Sequence, residues 1–95
     1  MNKYELALVL RPELDEEAKP AEVQKIQDLI TRFGGTVVKT DDWGKKRLAY
    51  PIQKVNEGFY LFIDFEAEGT TPAEIESRVR IMESVLRYLI VRKEA

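Results

Sequence analysis

The chain predicts an α+β domain with the element order strand, helix, strand, strand, helix, strand. Three observations carry that prediction. Residues 4–10 and 59–66 alternate apolar side chains with period two, as strands with one covered face do. Residues 17–33 place Val23, Ile26, Ile30 and Phe33 at spacings of three and four, the stripe of an amphipathic helix. The length of 95 residues permits one domain and not two, so residues 1–95 are read as a single domain.

In the first strand Tyr4, Leu6, Leu8 and Leu10 share one face, with Glu5, Ala7 and Val9 on the other. Because the second face is also partly apolar, this strand should be central, and Pro12 ends it. An acidic loop over 13–17 leads into the first helix, where Leu29 widens the stripe and Gly34-Gly35 supplies the stop. Pro20 either sits in the first turn or delays the regular helix.

The second strand begins over 36–40, is interrupted or bulged over 41–44 around Gly44, and resumes over 45–52. Pro51 cannot donate to a ladder, which puts this strand at an edge. Residues 53–58 make the hairpin connection. The third strand sets Phe59, Leu61, Ile63 and Phe65 on one face and Tyr60 and Phe62 on the other. In the second helix Thr71 is the expected cap, Pro72 the first position, and Ile75 and Val79 face inward with Met82 following. The last strand, 85–91, is apolar on both parities apart from Arg87.

Two right-handed crossovers then interleave into a four-stranded antiparallel sheet in the order 4-1-3-2, with both helices on one face. Lys3 should lie near Arg92 and Lys93, while Arg11 and Lys54 fall toward the opposite end. The open face would carry Ala7, Val9, Tyr60 and Phe62. Such a patch marks a partner surface, or else a self-associating or partly sheltered sheet.

Histidine and cysteine are absent, which excludes disulfides, thiolate or imidazole zinc sites, thiol nucleophiles and histidine bases. Asp41 and Asp42 are adjacent, so their side chains diverge in an extended chain instead of flanking a substrate, and they read as solvated loop acids. Glu13, Asp15, Glu16 and Glu17 lack the spacing of a calcium loop. No cofactor, metal or catalytic residue is expected. No apolar run approaches the roughly 20 residues of a membrane span, and the start does not read as a signal peptide, so a cytoplasmic protein is expected.

The formal charge is −2, which by itself argues against binding nucleic acid. The sum hides two basic stretches: 45–58 holds four Lys and Arg against one acid, and 84–95 holds three against one. The signature of the common RNA-recognition module is poorly matched at Glu57-Gly58-Phe59, since Leu61 and Asp64 stand where aromatics belong.

The run Trp43-Gly44-Lys45-Lys46-Arg47-Leu48-Ala49-Tyr50-Pro51-Ile52, followed by Glu57-Gly58-Phe59-Tyr60, resembles a known pattern. It is similar to the GxRxLAYPI-type stretch and EGxY continuation of the family of protein six of the bacterial small ribosomal subunit. Tyr4-Glu5, Arg11-Pro12 and Val85-Leu86-Arg87-Tyr88 also stand where that family has them, so the resemblance covers essentially the whole chain.

The resemblance implies a ferredoxin-like fold and a structural ribosomal protein with no catalytic site and no small-molecule substrate. It implies assembly on the central domain (platform) of 16S rRNA as a heterodimer with small-subunit protein eighteen, a basic partner that would offset the acidic charge. Carried onto this chain, the protein interface would draw on Ala7, Val9, Lys46, Leu48, Tyr50, Tyr60 and Phe62. The rRNA contacts would draw on Lys3, Lys45, Arg47, Lys54, Arg87, Arg92 and Lys93, meeting phosphates and not bases. From a different class, the alternative is a small ferredoxin-like regulatory domain that self-associates through its sheet and binds a metabolite.

Overall fold

A computed structural model describes residues 1–15, 17–52 and 55–93, the side chains of 49–52 and 55 excepted. In chain order the elements are β1 (Asn2–Leu10), α1 (Ala18–Arg32), β2 (Thr36–Ile52), β3 (Val55–Ala67), α2 (Thr71–Val79) and β4 (Val85–Lys93). The sheet order is β2-β3-β1-β4, the expected order read from the other edge, and every neighbouring pair is antiparallel.

Strand periodicity dictates the core. Tyr4, Leu6, Leu8 and Leu10 of β1 lie opposite Phe65, Ile63, Leu61 and Phe59 of β3. All of these are buried except the partly buried Phe59, and the Tyr4 and Phe65 rings stack with centroids 5.5 Å apart. Ile26 and Ile30 from α1 and Ile75 and Val79 from α2 close over them with no exposed surface. Both helices therefore cover one face of the sheet.

Local chemistry sets the helix ends. The Asp15 carboxylate accepts from the N–H groups of Glu17 (3.0 Å) and Ala18 (2.6 Å), so Asp15 satisfies donors that Glu17 leaves unpaired at the cap. Pro20 sits in the first turn, where its missing N–H costs nothing. At the other end the Gly35 N–H donates to the Ile30 carbonyl (2.8 Å) and the Gly34 N–H to Thr31 (3.1 Å). This Schellman closure requires the left-handed backbone that Gly34 adopts at φ 90°.

The second helix corrects an expectation. Thr71 is its first residue and not its cap, and Thr70 in the cap position makes no side-chain bond. The Thr71 hydroxyl is buried and donates to the Phe33 carbonyl at 3.0 Å, an acceptor exposed by the end of α1. A buried hydroxyl needs a partner, and the tertiary acceptor prevails over the local cap. The bond ties the two helix ends together.

The hairpin is longer than expected. Ile52 already pairs with Val55, so β3 starts before Phe59, and residues 53 and 54 lie outside the described part. At about 3.3 Å per residue, 17 residues of β2 would span roughly 53 Å if straight. The longest dimension of the molecule is 37 Å, so β2 has to bend. It does so where its register shifts, between Val37 and Lys39, between Asp42 and Gly44, and between Arg47 and Ile52. Gly58 permits the β3–β1 approach: a Cβ there would collide with Val9 Cγ1 and crowd the Leu10 carbonyl at 3.0 Å.

Replacing Ile30 with Ala should lower the unfolding free energy by about 2–5 kcal/mol, because the sealed site cannot refill. Leu89→Ala, on the opposite face, should change it by no more than about 0.5 kcal/mol. Urea denaturation of both variants checks the assignment of the two faces.

Candidate protein and RNA interface

Among the described residues no element covers the face away from the helices. Ala7 and Val9 from β1 are half-buried there and lie opposite Phe62 and Tyr60 of β3. On the other side they lie opposite Leu89 and Arg87 of β4. Together these side chains line a shallow depression of about 210 Å³. That volume falls below the roughly 300–1,000 Å³ typical of a small-molecule site, and its opening is broad and apolar.

Three apolar residues outside the expected set extend the patch. Leu89 is 57% exposed and Val91 40%. Trp43 is 58% exposed and packs its ring on Phe62, centroids 4.8 Å apart. The two-parity apolar character of the last strand was a signal for Leu89 and Val91. Trp43 occupies the bulge between Asp42 and Gly44, where alternation from either side stops being informative.

The bulge also decides where the basic arm of β2 points. Lys46 lies opposite Gly58, in phase with Tyr60 and Phe62, and so belongs to the open face. Lys45 lies opposite Phe59 on the helix side, with its ammonium 5.4 Å from that ring, and Arg47 lies opposite Glu57 in the same phase as Lys45. Leu48 is half-buried farther along the arm. The Tyr50 side chain and Lys54 lie outside the described residues.

The expected RNA-contacting residues fall into two groups. Lys3, Arg92 and Lys93 gather at one end, where Lys3 is paired with Lys93 and Tyr4 with Arg92. Lys45 stands at the other end, level with Leu10 through Phe59, and Arg47 lies beyond it; the seven residue steps from Lys3 to Leu10 amount to about 23 Å of strand. Arg87, opposite Val9, lies closer to the second group. Arg92 donates to the Asn2 side-chain oxygen at 2.9 Å, and the Lys93 ammonium lies 3.2 Å from Asp64. Both keep further donors for a phosphate.

Asp41 and Asp42 are strand residues, not loop acids, and each pairs with a lysine. Asp41 lies 3.5 Å from Lys39, and Asp42 lies 2.6 Å from Lys19 of α1. Lys19 also lies over the Phe59 ring at 4.5 Å, which pins the start of α1 to the hairpin. Desolvation works to raise the Asp42 carboxyl. The Lys19 hydrogen bond, the Gly44 N–H and the Lys19 charge outweigh it and hold the group below its ordinary 3.8.

A second depression, about 520 Å³, lies on the helix side between α1 and the α2–β4 connection. Glu22 takes up two of the polar groups there: the Ser84 hydroxyl donates to it at 2.8 Å and Lys25 pairs with it at 3.2 Å, while Arg78 lies over the Phe33 ring. They do not converge on a ligand. Among the described residues no cluster of acids is placed to hold a metal ion, and no helix is long and apolar enough to cross a membrane.

Fold and surface thus define a ferredoxin-like domain with one face sealed by helices and one bare apolar sheet face. A model of the family described as "Ribosomal protein S6" matches residues 3–92. The small ribosomal subunit protein bS6 of Fusobacterium nucleatum subsp. nucleatum is 44% identical over 94 residues, covering 99% of this chain and 100% of that one. The bS6 protein of Clostridium novyi is 45% identical over 94 residues, 99% of each chain. The fold also matches the crystal structure of 30S ribosomal protein S6 from Thermotoga maritima, with a TM-score of 0.92 at 29% identity over 97% of this chain and 87% of that one. The chain belongs to the ribosomal protein S6 family. It is a structural, non-catalytic constituent of the small ribosomal subunit, and the metabolite-binding alternative falls away.

The Asp42 pair has a pH signature. A carboxyl lowered on folding contributes stability above its unfolded value, and that contribution is lost as pH falls through the folded value. Asp42→Asn should therefore cost stability near neutrality and progressively less below about pH 4. The side chain is half exposed, so the effect should stay under about 1 kcal/mol. Urea titrations of both proteins across that range measure the convergence.

Proposed function

We propose that this protein assembles on the central domain of 16S rRNA as a heterodimer with small-subunit protein eighteen. Its open sheet face would meet the protein, and its basic margins the RNA. The observation that carries the reading is the apolar patch of half-buried Ala7, Val9, Tyr60 and Phe62 and exposed Leu89, on a face that no element among the described residues covers. Exposed apolar surface of this kind suits a protein partner, and a net charge of −2 suits a basic one. Lys46 and Leu48 would extend that interface along the hairpin arm.

Lys3, Arg92 and Lys93 at one end, with Lys45, Arg47 and Arg87 toward the other, would then contact phosphates. They would position the complex without reading bases. With so few cations on each margin, most of the RNA affinity would come from the pair of proteins and little from this subunit alone.

Calorimetric titration with protein eighteen, then of the pair with a central-domain 16S fragment, tests this. A one-to-one protein complex that binds the fragment far more tightly than either protein alone is expected. No heat from a folded sample, and no cooperative RNA binding, would refute the reading. Tyr60→Ala and Phe62→Ala should each weaken the protein complex by tenfold or more, roughly 1.4 kcal/mol, while the free protein stays folded by circular dichroism. Replacing Arg92 and Lys93 with Gln should reduce the slope of log affinity for RNA against log salt by about 1 for each phosphate left without its cation. An unchanged slope would place both residues outside the RNA interface.

A further inference from the structure

The registers of the three strand pairs, taken together, align Asp41, Phe62, Ala7 and Leu89 in one line across all four strands. Trp43, from the bulge of β2, covers the β2 end of that line by packing on Phe62. At about 4.8 Å between strands, the line runs roughly 14 Å from one sheet edge to the other. Its two apolar ends, Trp43 and Leu89, are more than half exposed, whereas its middle is half-buried. The apolar surface therefore reaches across all four strands along this line, and Val9 and Tyr60 widen it by one further line at the centre.

The next line is Lys39, Asp64, Glu5 and Val91. It places two carboxylates, Glu5 and Asp64, directly opposite each other on the central strands. Like charges in that relation cost stability. Asp64 is compensated by the Lys93 ammonium at 3.2 Å. Glu5 is half-buried, and among the described residues its carboxylate has neither a hydrogen bond nor an ion pair. Opposite it on β4 stands Val91, and Lys3 and Lys93 occupy the next line of the same face without an ion pair to it. An incoming cation would offset the repulsion between the two carboxylates.

We propose that the protein partner lays an apolar segment across the strands along Trp43, Phe62, Ala7 and Leu89, and seats a Lys or Arg on Glu5 and Asp64. This rests on the reading that a protein covers the open face, and it adds the direction of the segment and the chemistry of its anchor. Trp43 is the terminal apolar anchor. Glu5 is retained for the complex at the expense of the free protein.

The test is a titration of Trp43→Ala, Leu89→Ala and Glu5→Gln with small-subunit protein eighteen, alongside Phe62→Ala and the unmodified protein, with thermal melts of each free variant. Each of the three new variants should weaken binding about tenfold. Glu5→Gln should at the same time raise the melting temperature of the free protein, an opposition that a merely structural glutamate would not produce. If Phe62→Ala weakens binding while the other three bind as the unmodified protein does, the face is still the interface but the crosswise seat is overturned. If the unmodified protein does not bind at all, the reading of the open face fails, and this inference fails with it.

Discussion

The register between β1 and β3 settles which side chains the helices can cover. Leu6 faces Ile63 and Leu8 faces Leu61 on one side of the sheet, while Ala7 faces Phe62 and Val9 faces Tyr60 on the other. A slip of β3 by one residue would exchange its two sets while β1 kept its own. It would put Tyr60 and Phe62 under the helices beside Leu6 and Leu8, and leave Leu61, Ile63 and Phe65 in water. Ile26, Ile30, Ile75 and Val79 are all fully buried against the first set. The same pairing that builds the core therefore builds the bare face, and neither can be altered without the other.

The sheet edges are handled unequally. β2 carries three register shifts and a mixture of charges along its length, with Lys39, Asp41 and Asp42 engaged in ion pairs. Bends and charges of this kind discourage pairing with another chain. β4 shows one irregularity, near its start, and leaves Leu89 and Val91 exposed beside the central strands. The open face is thus continuous with β4 and bounded at β2 by Trp43. For a subunit built to assemble, this gathers Trp43, Leu89 and Val91 onto one surface.

Much of this was legible because period-two patterns are unambiguous when long. The runs YELALVL and FYLFIDF placed both faces of both central strands correctly. Thr71 was not legible as a tertiary donor, because its acceptor lies 38 residues away at the end of another helix. Trp43 escaped because a bulge cancels parity at the residue that matters most. Alternation divided the basic arm into Lys46 and the pair Lys45 and Arg47, but the same bulge hid which side each set faces: Lys46 is on the open side and the other two are on the helix side. The RNA-contacting set was chosen by charge, and charge carries no information on distance. The antiparallel order of the first and last strands did group Lys3 with Arg92 and Lys93, and the β2–β3 register adds that Lys45 and Arg47 stand at the other end.

The protein partner is expected to cover the open face and to leave α1 and α2 untouched. Backbone amide chemical shifts, recorded before and after addition of small-subunit protein eighteen, test it most directly. The account predicts changes at Ala7, Val9, Trp43, Tyr60, Phe62 and Leu89 on the sheet, with α1 and α2 unmoved. Changes confined to α1, α2 and the groove between them, with the sheet residues silent, would contradict it.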